Sequence, residues 1–399
     1  MQYREVPKNG DKLSVLGYGC MRLPKRMGGI NEELAERQIL HAIDHGVNYL
    51  DTAYLYHNRR SESFVGKMLA RNGRRDDIKL ATKLPHWQTR SKSEMDGVLD
   101  EQLAKLRTDR IDYYLIHALS GELWELAKNH GVIEFLDDAL RKGKILNAGF
   151  SFHGGADEFT TIVDEYDWTF CQIQYNYLDT QYQAGTSGLK YAAARNMAVI
   201  VMEPLRGGNL AKTPPPSVQR VWDSAGVRRT AVAWALGWLW NQPEVTVVLS
   251  GMNDFAHIEE NLGLADAAVP GAFSETEVGT VEEAAHEFRA AMRIGCTGCQ
   301  YCLPCPAGVN IPNCFASYNS KHAFKDRSAS FMYLMQNAGI TEEKSSLASK
   351  CVKCGQCLEK CPQQLPIPEL LDAVAGDMEG IWTKPLVWLG RRMARVERK

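Results

Sequence analysis

Apolar and polar positions follow a repeating two-beat rhythm over the first 270 residues. Short, nearly unbroken apolar runs give way to longer stretches in which apolar residues recur every three or four positions. The first kind fits a strand buried on both faces, the second an amphipathic helix. An N-terminal hairpin comes first, with Tyr3–Val6 and Lys12–Leu16 flanking the turn Asn9-Gly10-Asp11. The strands are then Leu16–Cys20, Val47–Asp51, Ile78–Lys83, Asp112–His117, Ile145–Ser151, Phe170–Tyr175, Val199–Glu203 and Val245–Ser250. Helices follow them at Glu32–His45, Ser61–Arg71, Ser93–Leu106, Ile133–Arg141, Asp157–Tyr166, Gly188–Arg195, Arg228–Trp240 and Asp254–Leu264. Ser93 reads as an N-cap. Eight strand–helix units in about 250 residues predict a (β/α)8 barrel rather than an open doubly wound sheet. Asn209–Gly226, with Pro214-Pro215-Pro216, reads as a loose loop after the seventh strand, a solvated linker or a lid.

After Pro270 the rhythm stops. Glu275–Arg293 reads as one charged helix. Asn313–Gln336 also reads as helical, with Phe315, Tyr318, Phe324, Phe331 and Tyr333 available to pack around cofactors. Leu386–Lys399 reads as a basic, solvated helix end. The expected division is therefore a barrel over 1–272, then a connecting helix and a mainly helical, ferredoxin-like domain over 273–399.

Two cysteine runs define the second domain. Cys351, Cys354, Cys357 and Cys361 have the spacing C-x2-C-x2-C-x3-C-P. Cys296, Cys299, Cys302 and Cys305 have C-x2-C-x2-C-x2-C-P, one residue shorter before the last Cys. Three thiolates at this spacing suit three iron corners of a cubane, the fourth coming from the other run. Zinc prefers separated C-x2-C pairs, and a disulfide framework suits secreted chains. Two [4Fe-4S] clusters are the expectation. The short gap leaves Cys305 and Cys314 as rivals for one ligand position. Cys20, Cys171 and Cys314 read otherwise as buried packing.

Bulk composition narrows the function. The 399 residues carry a net charge of −2, which gives no reason to expect nucleic acid as a partner. No apolar run approaches the ~20 residues of a membrane span, and Met1-Gln-Tyr-Arg-Glu-Val has no leader pattern. Thiolate ligands fit a reducing, cytoplasmic setting.

Three successive strands end on Asp51, Lys83 and His117. In a barrel those ends share one mouth, where catalytic groups gather. Tyr56 follows Asp51 closely enough to fold over the same mouth. A tyrosine with an ordinary pKa of ~10 is a poor acid, and a neighbouring ammonium would lower that value. Asp51 would hold Lys83, and His117 would hydrogen-bond a carbonyl oxygen. Such a set polarises a carbonyl and delivers a proton as hydride arrives.

The chain here resembles the aldo/keto reductases over about 1–268. The likeness rests on Asp51-Thr52-Ala53-Tyr54-Leu55-Tyr56, Ser61-Glu62, Ala81-Thr82-Lys83, Tyr114-Leu115-Ile116-His117, Gly149-Phe150-Ser151, Gln172-Ile173-Gln174-Tyr175-Asn176 and Glu260-Asn261. Gly17-Tyr18-Gly19-Cys20-Met21-Arg22 and Glu203-Pro204-Leu205-Arg206-Gly207-Gly208 look like the bacterial and archaeal branch with an appended two-cluster domain. The resemblance implies Tyr56 as general acid, supported by Lys83, Asp51 and His117, with Ser151 and Gln172 holding the nicotinamide carboxamide. Met202 stands where many members stack an aromatic ring. Gly251-Met252 and His257 stand, counting back from Asn261, where members that prefer NADPH carry a Lys-Ser pair and an Arg. This weakly favours NADH. Gly207, Gly208 and Gly251 suit a phosphate, whether of NAD(P)H or of a flavin.

Hydride moves two electrons and an iron–sulfur cluster one, so something must split the pair. The leading expectation is a nicotinamide-dependent oxidoreductase acting on a small-molecule carbonyl, or on the corresponding alcohol. A second reading places FMN or FAD in the barrel and uses the clusters as a wire to an external electron carrier. A third makes the chain a nucleotide- and redox-sensing module with little turnover. Trp87, Leu119 and Trp124 would line an apolar substrate pocket or pack into the core.

Overall fold

The structure is a computed structural model and describes residues 1–323, 329–338 and 345–380. Phe324 and the tail Leu386–Lys399 lie outside the described residues. By internal packing the chain forms two compact units. The first comprises Met1–Pro204 and Val232–Glu275; the second comprises Leu205–Ala231 and Thr276–Lys399.

The first unit is a closed eight-stranded barrel. Its strands are β1 (Leu16–Gly19), β2 (Tyr49–Asp51), β3 (Lys79–Leu84), β4 (Tyr113–Leu119), β5 (Ala148–Phe152), β6 (Phe170–Gln174), β7 (Ala198–Met202) and β8 (Val245–Ser250). Each pairs in parallel with the next, and β8 closes on β1. The expected (β/α)8 architecture is thus present, with strand limits shifted by up to three residues. Tyr49, Tyr113, Phe170, Ile200 and Val247 fill the interior as one fully buried cluster. Tyr49 and Tyr113 meet edge-on at 5.4 Å, and Tyr113 meets Phe170 at 5.0 Å.

The N-terminal hairpin explains where chemistry is excluded. Tyr3–Glu5 pairs antiparallel with Lys12–Ser14. Its Val6 and Leu13 belong to the interior cluster, and Tyr113 donates to Asp11 at 2.8 Å. Tyr49, Tyr113 and Phe170 all begin their strands, so the hairpin plugs the N-terminal end of the barrel. The C-terminal strand ends remain for function.

Helices α1 (Glu32–Asp44), α2 (Ser61–Asn72) and α3 (Lys92–Leu106) follow the first three strands that precede a full helix. Ser91 caps α3, accepting from the Glu94 N–H; Ser93 lies inside the helix. The cap expected at Ser93 is therefore two residues earlier, because the helix starts at Lys92. A further helix, Gly121–Asn129, precedes Val132–Arg141. Leu119 and Trp124 are 0% and 1% exposed, and Trp124 packs on Trp168 at 5.5 Å. They are core residues.

The second unit is mainly helical: Glu275–Ala291, Ile311–Ala323, Ala329–Asn337, Gln356–Lys360 and Ile367–Met378. Asn209–Gly226 is not a loose loop. It carries part of a 3-10 segment, Arg206–Ala211, and the helix Pro216–Ser224, begun by a proline at its first turn. The three prolines mark a helix start. Ile311, Cys314, Phe315, Tyr333, Leu371 and Val374 form the centre of this unit, with Cys296, Cys302, Cys305, Cys351, Cys357 and Cys361 packed against it. Phe331, expected to pack inward, is 63% exposed.

Candidate functional site

The ends of β2, β3 and β4 bring Asp51, Lys83 and His117 together at the open end of the barrel. All three are almost fully buried. Lys83 Nζ lies 2.6 Å from Asp51 Oδ2 and donates to the Thr52 carbonyl at 2.8 Å. Tyr56, half-buried on the loop before α2, presents its ring 5.2 Å from Lys83 Nζ. The His117 imidazole lies 6.4 Å from that ring, nearly perpendicular to it. A phenol thus has both an ammonium and an imidazole close to its ring.

A polar network missed by the sequence reading holds this arrangement from behind. Glu62, in the first turn of α2, is fully buried. It accepts from Thr82 and from Gln102 on α3, both at 2.7 Å. Gln102 also donates to the Lys83 carbonyl at 3.1 Å, and Thr52 donates to Ser61 at 2.9 Å. The residues on either side of Asp51 and Lys83 are therefore tied to α2 and α3. The only signal in sequence is polar Thr82 inside an apolar strand.

Electrostatics assigns charge states. Burial raises the Asp51 pKa, and Lys83 offsets part of that rise. Burial, then the Lys83 charge, lowers His117 well below its ordinary value. Burial also pushes His86 and His153 down to about 4. His117 is therefore neutral at pH 7 and offers a hydrogen bond rather than a proton.

These three imidazoles set an acid limit. Each is neutral when folded but takes a proton below about pH 6.5 when unfolded. Their contribution to stability is complete above that pH and is lost as pH falls towards 4. Three such groups contribute a slope of at most about 4 kcal/mol per pH unit. Asp51 and Glu62, raised by burial, act in the opposite sense. Denaturant titrations between pH 7 and 5 should record a steep fall in stability. His86→Gln should make it shallower.

Ser151 and Gln172 are register partners on β5 and β6. Ser151 Oγ accepts from the Ala118 N–H at 2.7 Å, leaving its own proton to donate. Gln172 Nε2 points to Met202 Sδ at 3.6 Å, while its buried Oε1 has no partner among the described residues. One donor and one acceptor side by side match a carboxamide. Trp87, 39% exposed, lies 5.4 Å from His117. Gly251 sits against the Arg22 side chain, and Asn261 turns inward to donate to Ser250 at 3.0 Å. His257 is exposed. Gly207 and Gly208 lie in the second unit, at φ 69° and 90°.

Cysteines of the two runs draw together in the second unit. Cys302 and Cys305 line one cavity with Cys351, Cys354 and Cys357. Burial raises the Cys357 thiol, and Cys351, Cys305 and Cys354 add to the rise. Burial pushes Cys302 up to about 12, and Cys299, Cys296 and Cys361 add to the rise. Cys314 is fully buried, its sulfur 3.8 Å from both Tyr333 Oη and the Ser346 carbonyl. Among the described residues no group of three or more His, Cys, Asp or Glu converges as a single-ion site would require. A cubane asks for something else, one thiolate at each of four separate corners. Desolvated, mutually repelling thiols stay protonated unless a cationic centre binds them. The donor set fits the group.

Comparison with known proteins agrees with both halves. The model of the Aldo/keto reductase family matches residues 15–285, and that of the 4Fe-4S dicluster domain matches 295–365, so a dicluster domain of this type is present. Aldo-keto reductase yakc [NADP(+)] of Schizosaccharomyces pombe is 28% identical over 50% of this chain and 60% of its own length. 6-Dehydroglucose reductase of Novosphingobium aromaticivorans is 28% identical over 65% of this chain and 88% of its own. The solved aldo-keto reductase AKR11C1 of Bacillus halodurans superposes with a TM-score of 0.59 at 25% identity, covering 71% of this chain and 96% of that one. Among the described residues no helix is long and apolar enough to cross a membrane.

Proposed function

Because the chain belongs to the aldo/keto reductase family of oxidoreductases, we propose that it interconverts a small carbonyl compound and its alcohol with Tyr56 as proton donor and acceptor. The observation that carries this reading is the buried Lys83–Asp51 pair beside Tyr56, with His117 across from it. A nicotinamide, when bound, would supply the hydride that the carbonyl carbon receives. Tyr56 gives its proton to the carbonyl oxygen, and Lys83 favours the phenolate left behind. Asp51 keeps the ammonium in place. Neutral His117 orients the same oxygen by a hydrogen bond. Ser151 and Gln172 would hold the carboxamide with Met202 beside it, and backbone at Gly251 would suit a phosphate.

NADH is the proposed nucleotide. The positions that would grip a 2′-phosphate hold Gly251-Met252 and exposed His257, with no lysine or arginine among them. In a domain over 273–399, one [4Fe-4S] cluster would be held by Cys351, Cys354, Cys357 and Cys305. The other would be held by Cys296, Cys299, Cys302 and Cys361. Such clusters carry single electrons. Cys354 is exposed, which supports an external electron carrier as partner. A reducing cytoplasm would keep these thiolates available.

Anaerobically purified protein tests the reading. It should contain about eight irons per chain, and reduce aldehydes or ketones with a higher kcat/KM for NADH than for NADPH. Zinc in place of iron would end the cluster assignment. Stoichiometric flavin, or no turnover across a broad carbonyl panel despite nucleotide binding, would end the nicotinamide assignment.

A further inference from the structure

A buried cation lies against the first Cys run. Arg206 comes four residues after Met202 ends β7 and is only 9% exposed. Its Nη2 donates to the Gly295 carbonyl at 3.2 Å, and its Nη1 lies 3.3 Å from Met292 Sδ. Gly295 immediately precedes Cys296. A Cβ placed on Gly295 would meet Arg206 Nη2 at 3.4 Å and Leu365 Cδ2 at 3.8 Å. The guanidinium therefore sits against the entry to the first run, and Gly295 itself also approaches Leu365, four residues after Cys361. Arg206, Gly207 and Gly208 take φ values of 49°, 69° and 90°. That left-handed sequence is costly at an arginine, and glycines carry the next two steps. An arginine seldom surrenders its contact with water. Here backbone geometry turns it inward.

We propose that Arg206 is the fixed cation that makes the cluster held by Cys296, Cys299, Cys302 and Cys361 easier to reduce. The inference rests on the reading that this thiolate set holds a [4Fe-4S] cluster. Four thiolates give such a cluster net negative charge, and an added electron increases it. A positive charge fixed nearby favours the reduced form, and burial limits screening by salt. Consecutive Cα atoms are only about 3.8 Å apart, so a group bonded to the Gly295 carbonyl is a near neighbour of Cys296. The second thiolate set includes exposed Cys354, where water screens charge.

The test is a mediated redox titration of anaerobic holoprotein, followed by electron paramagnetic resonance with dithionite as reductant. In Arg206→Gln, the equilibrium constant for reducing one cluster should fall about tenfold, a downward shift of about 59 mV for one electron. The other cluster should keep its potential. Arg206→Lys, which retains the charge, should recover most of the shift. Two unchanged potentials in an iron-replete Arg206→Gln protein would reduce Arg206 to a structural tie. A Lys variant shifted as far as the Gln variant would also overturn the proposal. Iron analysis of the parent protein keeps the two failures distinct: absence of iron sinks the cluster reading, whereas full iron with unmoved potentials sinks only the role of Arg206.

Discussion

Replacing Tyr56 by phenylalanine is expected to lower carbonyl turnover by about 10²–10⁴-fold, the range typical of losing a general acid. Nucleotide affinity should change little, because Ser151 and Gln172 stand on other strands. Stability should also hold, since Tyr56 is only half-buried at the rim. Steady-state kinetics with NADH, alongside equilibrium nucleotide binding, separates these effects. A variant that keeps more than a tenth of its turnover would remove Tyr56 from the chemistry. Lys83→Met makes the complementary test. It leaves Asp51 as a buried carboxylate without its ammonium, so both turnover and stability should fall. Breaking a buried pair in this way typically costs about 3–5 kcal/mol.

The second large effect is expected at Cys305. Cys305→Ser should remove one cluster, and with it about half the iron, whereas Cys314→Ser should leave iron content unchanged. Cys305, like Cys302, shares a cavity with Cys351, Cys354 and Cys357, while the Cys314 sulfur faces Tyr333 Oη and the Ser346 carbonyl within the core. Cys314→Ser should cost stability instead, because the smaller side chain gives up the sulfur's packing within the core. Iron and labile-sulfide analysis of both variants, purified without oxygen, reads the outcome. Loss of iron from Cys314→Ser with retention in Cys305→Ser would reverse the assignment. The short C-x2-C-P gap would then be a decoy.

What the chain alone determined is what depends on local spacing. A strand with both faces covered must be apolar throughout, and a helix against it must be apolar on one side. Eight such pairs therefore announced the closed barrel before any contact was known. Asp51, Lys83 and His117 were legible for the same reason, as polar residues interrupting apolar runs at their ends. Spacing also marked eight of the cysteines as cluster ligands in prospect. Tertiary structure decided the rest, through contacts between residues far apart in the chain. It set Cys302 and Cys305 beside the second run and Cys314 within the core, and it buried Glu62 and Gln102 behind Thr82 and Lys83. It drew Leu119 and Trp124 into the core, made a helix of the proline-rich stretch and turned Arg206 towards Gly295. Periodicity records which face of an element is buried, but not which distant side chain fills the space opposite. That choice is made only when the elements pack.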